Sequence, residues 1–340
     1  MTEPHDLAAH YSASLARFME TGKEDELQEA YSLGRAAFAG DVSILHLTEM
    51  HRSATVALLD LADGSAAADR LAASFAFLAE ALATFEMAQR GYWEAQERAR
   101  LEREQSMRLQ LNLLPTAMPR VEGLDLAVRY LPGEANSHAG GDWYDVFTLD
   151  DGWVGLVVGD VSGHGVEAAA QMGQLRIAVL AYALAGNPPA AVVEKVDALL
   201  VRLGAGEIAT MVYVMANPAD GELMLVNAGH PPPLVIRPDG GSGPLRVGHG
   251  RLLGLPEPSE AGPRAHELSS LPLGGYLLLY TDGLLEPLER GSQDGLARLC
   301  TVTAGFTGSA DELCDHVLAE LTPEGANDDI CIVAARLPTP

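Results

Sequence analysis

The chain has 340 residues, 48% of them hydrophobic and 20% charged, a composition that excludes a mostly disordered protein and gives enough length for two domains. Its net charge of −25 argues against binding nucleic acid or an anionic membrane, because an acidic surface repels both. Three cysteines in no CxxC spacing, no signal-type N-terminus and no apolar run of membrane-spanning length predict a cytoplasmic location.

The first 88 residues have helical periodicity interrupted by short turns, which predicts a helical bundle. The predicted helices lie near 5–20, 25–39, 42–61 and 66–88. One face of the first helix carries Leu7, Tyr11, Leu15 and Phe18. The second helix can contribute Leu27, Tyr31, Leu33 and Phe38. We interpret all of these side chains as core.

Residues 92–114 form a stretch without glycine or proline, rich in Glu, Arg and Gln, which predicts one exposed helix ending before Pro115 and Pro119. Two interpretations stay open: a passive spacer, or a short coiled coil through which two copies dimerise and a signal passes. The resulting domain prediction is a bundle at 1–88, a linker helix at 89–114 and a second domain at 115–340.

Beyond residue 120 the sequence changes to short apolar runs bounded by turn residues, which predicts β-strands. Asp-Gly turns within 149–153 and 217–222 predict antiparallel hairpins, because this dipeptide accommodates positive φ. Two helical pairs interrupt the strands, at 164–185 with 189–203 and at 293–303 with 309–321. The order predicts an α+β domain whose sheets are covered by helices.

Aspartates recur at the ends of these strands, in the contexts GGDWYD, VVGDVSGHG, LYTDGLLE and ANDDICIV. They are Asp142, Asp160, Asp282 and the pair Asp328 and Asp329. Each alone fits a turn or a helix cap equally well. Together they predict carboxylates that converge on one point and bind hard divalent cations, Mg²⁺ or Mn²⁺, rather than zinc.

In these four motifs the chain resembles the PPM (protein phosphatase 2C type) metallophosphatases, specifically their bacterial SpoIIE/RsbU-like branch. Further matching motifs are LLP at 113–115, RYLPG at 129–133, NAGHPPPLV at 227–235 and LLGL at 252–255. The resemblance covers roughly residues 112–337. It implies a central β-sandwich with helices on both outer faces and a metal-dependent serine/threonine protein phosphatase.

The resemblance also implies site roles. Asp160 would bridge two Mn²⁺ or Mg²⁺ ions with help from the Val161 carbonyl, and Asp282 and Asp328 would hold one of them. Asp142 would act largely through waters. Asp329 stands beside the last ligand, where many relatives have Asn.

The family's reaction is in-line attack of water on phosphorus, without a phospho-enzyme. Relatives of the eukaryotic branch carry a histidine two residues after the bridging aspartate, where this chain has Ser162. His164 is therefore the candidate general acid, with metal-bound water as the alternative. Asn227 and His230 are expected to be structural, and Arg129 is the nearest candidate for a phosphate-binding arginine.

The stretch 26–51 resembles the helical regulatory domain of RsbU-like phosphatases. That resemblance implies an activating switch protein at the bundle and a phosphorylated anti-sigma-factor antagonist as substrate. Two other functions remain open from the residues: a catalytically silent scaffold that binds a phosphorylated partner, and a hydrolase of small phosphate esters.

Overall fold

The computed structural model describes residues 4–59, 67–133, 140–163, 165–203, 208–245, 248, 250–255, 263–285, 292–323, 325–326 and 328–339. The chain divides into two compact units, residues 1–101 and 102–340. Below, the first is called the bundle unit and the second the catalytic unit.

The bundle unit is helical, as the periodicity predicts. Its helices are α1 (Pro4–Thr21), α2 (Glu24–Ala39), α3 (Ile44–Leu59) and the first part of α4 (Ala67–Leu113). Tyr11 and Leu15 of α1 are completely buried, together with Phe77 of α4. Tyr31 was predicted to belong to the core, but its side chain is 38% exposed. A helix position one turn from a buried residue need not face the core.

Helix α4 differs from the sequence prediction, which divided it into a bundle helix at 66–88 and a separate exposed linker at 92–114. It is one continuous helix of 47 residues. Its last turns are exposed on one face, which includes Met107 and Leu111, while Ser106 and Gln110 on another face are buried within the catalytic unit. The prediction of an exposed helix missed this buried face because it is polar there and gives no apolar periodicity.

By length and composition alone, α4 is also apolar enough to cross a membrane, contrary to the expectation that no such segment exists. Helices that pack in the core of a soluble protein pass the same test. Part of the apolar content of α4 lies in the bundle core, where Phe77, Ala81 and Phe85 are buried.

The catalytic unit contains two five-stranded antiparallel sheets. Its strands are β1 (Asp125–Leu131), β2 (Trp143–Thr148), β3 (Val154–Val161), β4 (Ala209–Ala216), β5 (Glu222–Ala228), β6 (Leu234–Ile236), β7 (Ser242–Pro244), β8 (Glu267–Ser270), β9 (Tyr276–Tyr280) and β10 (Ile330–Arg336). The first sheet has the order β1-β10-β9-β6-β7 and the second β2-β3-β4-β5-β8. The hairpins predicted at 149–153 and 217–222 join β2 to β3 and β4 to β5. The short strands β7 and β8, which lack apolar alternation, were not predicted.

Within the part of the chain that the structure describes, four helices cover the two sheets: α5 (Val166–Leu184), α6 (Pro189–Leu203), α7 (Ser292–Thr303) and α8 (Ala310–Leu321). Helices α5 and α6 pack on the second sheet, and α7 and α8 pack on the first. Leu156, Val214, Leu279 and Val333 fill the layer where the inner faces of the sheets meet. The predicted α+β sandwich with helices on both faces is confirmed.

Candidate metal centre

Three aspartates meet at one end of the sandwich. Asp142 lies immediately before β2, Asp160 is the penultimate residue of β3, and Asp282 opens a short 3-10 helix (Asp282–Leu284) after β9. Each offers a carboxylate oxygen, and these oxygens all lie within 4.8 Å of one another. Because β3 and β9 belong to different sheets, it is the sandwich that brings the carboxylates together.

Burial and the charges of neighbouring carboxylates oppose ionisation of two members of the trio, Asp142 and Asp160. Burial raises the pKa of Asp142 well above its usual value, and the charge of Asp160 adds to this, while a hydrogen bond with Thr281 acts in the opposite direction. Burial also raises the pKa of Asp160 to about 7, and the charges of Asp282 and Asp328 reinforce that shift. A divalent cation would relieve both effects.

The backbone beside the trio is closely packed. Val161 donates its N–H to the Gly141 carbonyl at 3.2 Å. A Cβ on residue 141 would lie 2.0 Å from the Val161 carbonyl oxygen, so any side chain there would displace β3. Glycine at 141 therefore lets Asp142 approach the end of β3. The predicted ligand carbonyl of Val161 lies at this contact.

The adjacent aspartates of the last motif differ in their surroundings. Asp328 is half-buried; burial raises its pKa, as do the charges of Asp329 and Asp282, while its Oδ1 accepts the Asp329 N–H at 2.8 Å. Asp329 is 3% exposed, and both its oxygens accept hydrogen bonds from protein donors. Asp328 thus interacts electrostatically with Asp160 and Asp282 but is not one of the three grouped carboxylates, while Asp329 binds the surrounding loops.

His230 connects the two sheets beside the centre. Its Nε2 donates to the carbonyl of Tyr280 at the end of β9 (3.1 Å), so its Nδ1 accepts from the hydroxyl of Thr210 on β4 (2.8 Å). Asn227 exchanges two hydrogen bonds with the backbone of His230, both 2.8 Å long. Burial lowers the pKa of His230 to about 3, so the imidazole is neutral at physiological pH. These contacts give His230 the structural role expected of it.

A third predicted residue, Arg129, does not enter the described centre. Arg129 on β1 pairs with Asp311 and Asp315 of α8, both at 2.8 Å, so its charge is already engaged on the outer face of the sheet. His164 lies outside the described residues, and its assignment as general acid stays a prediction.

Three polar residues near the centre were not singled out from the sequence: Thr281, Gln110 and Tyr130. Thr281 is completely buried between Asp142 and the Cys331 N–H. Its position directly before Asp282 was the available signal. Gln110 and Tyr130 bind Asp329, a contact that joins residues more than 190 positions apart and that no local pattern could reveal.

Residues 150–338 match the family model described as Stage II sporulation protein E (SpoIIE), which is more than half of the chain. The chain belongs to the SpoIIE family. Residues 9–88 of this SpoIIE-family chain match a second model, the N-terminal domain of phosphoserine phosphatase RsbU.

Several relatives share this organisation in whole or in part. Phosphoserine phosphatase RsbU of Bacillus subtilis is 22% identical over 96% of both chains. Phosphoserine phosphatase RsbP of the same species is 31% identical over 45% of this chain and 38% of its own length. Protein IcfG of Synechocystis is likewise matched over only 38% of its length. The chain thus spans about two fifths of two of these curated relatives.

Solved structures confirm the fold. The structure of the RsbU and RsbW domains of a Mycobacterium tuberculosis protein matches with a TM-score of 0.58 and 34% identity, covering 67% of this chain and 64% of that one. The PP2C phosphatase domain of SpoIIE from Bacillus subtilis matches with a TM-score of 0.55 at 15% identity, over 65% and 64% of the two chains.

Proposed function

We propose that this SpoIIE-family chain is a metal-dependent phosphatase that hydrolyses phosphoserine or phosphothreonine in a protein. The observation that carries the proposal is the convergence of Asp142, Asp160 and Asp282 within 4.8 Å. Two relatives whose names describe them as phosphoserine phosphatases support the reaction type, one of them aligned over nearly its whole length.

The residues fit a divalent cation. The Oδ2 atom of Asp142 is buried without a hydrogen-bond partner, an arrangement that costs free energy unless a cation or a donor compensates it. The three grouped side chains offer only carboxylate oxygens, the ligands that Mg²⁺ and Mn²⁺ prefer, whereas zinc sites use nitrogen and sulfur. We infer that two such ions bind here.

Each ligand has a distinct part in this proposal. Asp160, which interacts electrostatically with Asp282 and Asp328, would hold the ions together with these two carboxylates. The Val161 carbonyl would help to bind the metal, and Asp142 would act largely through waters. We assign Asp329 to positioning, because its oxygens already accept protein hydrogen bonds.

Bound Mg²⁺ or Mn²⁺ supplies a water nucleophile at neutral pH and charge stabilisation for the phosphoryl oxygens. The protein's own contribution is to hold the carboxylates on two sheets that His230 and Thr281 fix together. The leaving serine or threonine oxygen needs a proton, for which His164 and a water held at the metal site stay the two candidates.

We further propose that the bundle unit receives a regulatory protein and that the substrate is a phosphorylated anti-sigma-factor antagonist. The match of residues 9–88 to the RsbU N-terminal domain supports the first proposal. The full-length alignment with RsbU supports the pairing of such a domain with a phosphatase. Dimerisation through α4 stays a prediction, for which light scattering is the measurement.

The test compares three substrates with the full chain and Mn²⁺: a serine-phosphorylated protein, p-nitrophenyl phosphate and a nucleoside triphosphate. We expect metal-dependent phosphate release that favours the phosphoprotein and disappears in Asp160→Asn. Preference for the nucleotide or the aryl ester would indicate a small-ester hydrolase instead. Binding of the phosphoprotein with no release from any substrate would indicate a scaffold.

A further inference from the structure

We propose that Gln110, near the end of α4, is a positioning residue for the metal centre. The inference rests on the proposed metal site and names a residue outside its ligands. It follows from hydrogen bonds that connect this helix, within the catalytic unit, to the two segments that carry Asp142 and Asp328.

Gln110 is buried, with 1% of its surface exposed. Its Nε2 donates to Asp329 Oδ2 at 2.8 Å and to the carbonyl of Gly140 at 2.8 Å, and it also contacts the Tyr130 hydroxyl. Burying an amide costs free energy that an apolar side chain of the same size would not cost. Packing alone therefore does not account for a glutamine here.

Asp329 is the acceptor on which this network converges. Its Oδ1 accepts the Gly133 N–H at 2.9 Å, and its Oδ2 accepts the Tyr130 hydroxyl at 2.5 Å and the Gly140 N–H at 3.1 Å. Asp329 follows Asp328 directly, and Gly140 lies two residues before Asp142. A single carboxylate thereby fixes the backbone on both sides of the centre.

Gln110 connects helix α4 to this hydrogen-bond network. It binds Asp329 and also the carbonyl of Gly140, so it connects to both segments at once. The helix end is itself anchored, because Leu113 lies against Gly173 of α5 and Leu114 packs in the same cluster as Trp143. A shift of the last turns of α4 would therefore displace Gly140 and Asp329 together.

The consequence is a metal affinity that depends on a residue with no metal contact. Groups that orient metal ligands change affinity by about 10- to 100-fold when they are removed. We expect Gln110→Met, which keeps the length of the side chain and removes its donor, to weaken Mn²⁺ binding by about tenfold.

The experiment uses the full chain and measures Mn²⁺ affinity by calorimetry, thermal unfolding in EDTA, and the Mn²⁺ concentration that gives half-maximal phosphate release. Gln105→Met is the matched control, since Gln105 is an exposed glutamine of the same helix. Gln110→Met should need a higher Mn²⁺ concentration for half-maximal phosphate release than both wild type and the control. Its turnover should recover towards wild type as Mn²⁺ is raised, because mass action offsets the weaker site.

Equal Mn²⁺ affinity in Gln110→Met and Gln105→Met would overturn the proposal. A lower unfolding temperature in EDTA with unchanged Mn²⁺ affinity would also overturn it, since that pattern means a purely structural role. If Gln110→Met does not fold, the Tyr130→Phe variant provides the test, because it loses one donor to Asp329 and keeps the ring. Weaker Mn²⁺ binding by Tyr130→Phe would support the network. Unchanged Mn²⁺ binding would refute it.

Asp160→Asn, measured in parallel, separates this inference from the proposed function. A wild-type chain that binds no Mn²⁺ would refute the metal centre itself. If wild type and Gln110→Met bind Mn²⁺ with equal affinity and Asp160→Asn binds none, only the role of Gln110 is refuted.

Discussion

Two buried acidic sites of the catalytic unit have opposite electrostatics. Asp197 on α6 accepts hydrogen bonds from Arg251 (2.7 Å), Arg264 (2.8 Å) and the Gly254 N–H (2.9 Å). Burial alone would raise the pKa of Asp197, but these three hydrogen bonds hold it below its usual value. At the metal centre, burial and neighbouring aspartates both raise the pKa of Asp142.

The difference separates an acid that stabilises the fold from one that serves a function. The charge of Asp197 is compensated by arginines of the same chain, so no bound cation is needed to stabilise it. Among the described residues that act on Asp142 and Asp160, the neighbouring charges are carboxylates, and a bound cation would compensate them. Burial of an aspartate alone does not distinguish the two cases.

The largest expected effect is on catalysis. Asp160→Asn should lower Mn²⁺-dependent phosphate release by about 10³-fold or more, because loss of metal charge removes several kcal/mol of transition-state stabilisation. Steady-state assays of the full chain check this. Asp197→Asn, assayed where it remains folded, should keep its Mn²⁺ dependence; a comparable loss there would break the distinction between the two sites.

The next effect is on stability and has opposite signs at the two sites. Asp197→Asn should destabilise the catalytic unit by about 3 kcal/mol, because it leaves two arginines without their carboxylate. Asp160→Asn in EDTA should instead raise the free energy of unfolding, since it removes repulsion. Urea unfolding followed by tryptophan fluorescence in a Trp93→Phe background reports on Trp143 and Trp153 of the catalytic unit.

Asp311→Asn is the matched control for these unfolding experiments, because it removes an exposed carboxylate. Destabilisation by Asp160→Asn in EDTA equal to that by Asp197→Asn would mean that both acids stabilise the fold.

A smaller effect concerns pH. Burial lowers the pKa of His230 from 6.5 to about 3. The unfolded chain therefore binds a proton below pH 6.5 that the folded chain does not, and stability falls as pH decreases. The contribution should be about 2 kcal/mol between pH 6.5 and 5.

Wild type and His230→Gln, unfolded in urea at both pH values, isolate this contribution. The variant should lose less stability on acidification, whereas His266→Gln, at an exposed histidine, should behave as wild type. Identical pH dependence in wild type and His230→Gln would show that His230 titrates normally.

The smallest effect is at the surface. Arg129→Ala should cost about 1 kcal/mol or less, and the cost should shrink in high salt, because the aspartates that Arg129 pairs with are more than half exposed. A large, salt-independent loss of stability in urea unfolding would instead mean that Arg129, like Asp197, takes part in a structural ion pair.

Much of the fold could be predicted from the sequence. Strands such as Val154–Val161 are continuous apolar runs, and helices such as Val166–Leu184 have clear boundaries, so pattern alone identified them. The short edge strands Ser242–Pro244 and Glu267–Ser270 carry no such pattern, because pairing with a neighbour rather than burial of a face defines them.

The carboxylates of the centre were also predictable, because strand-end aspartates beside glycines are a local signal. Their surroundings were not. Gln110 is identified only when α4 meets Asp329 in the folded chain, and the burial of Ser106 and Gln110 on an otherwise exposed stretch could not be predicted from a polar sequence. Contacts between distant polar residues leave no periodicity to detect.

Calorimetric titration of Mn²⁺ into the metal-free full chain tests the central claim most directly. The account predicts binding by wild type and by Asp197→Asn, and none by Asp160→Asn. Binding by Asp160→Asn with wild-type affinity, or no binding by the folded wild-type chain, would contradict it.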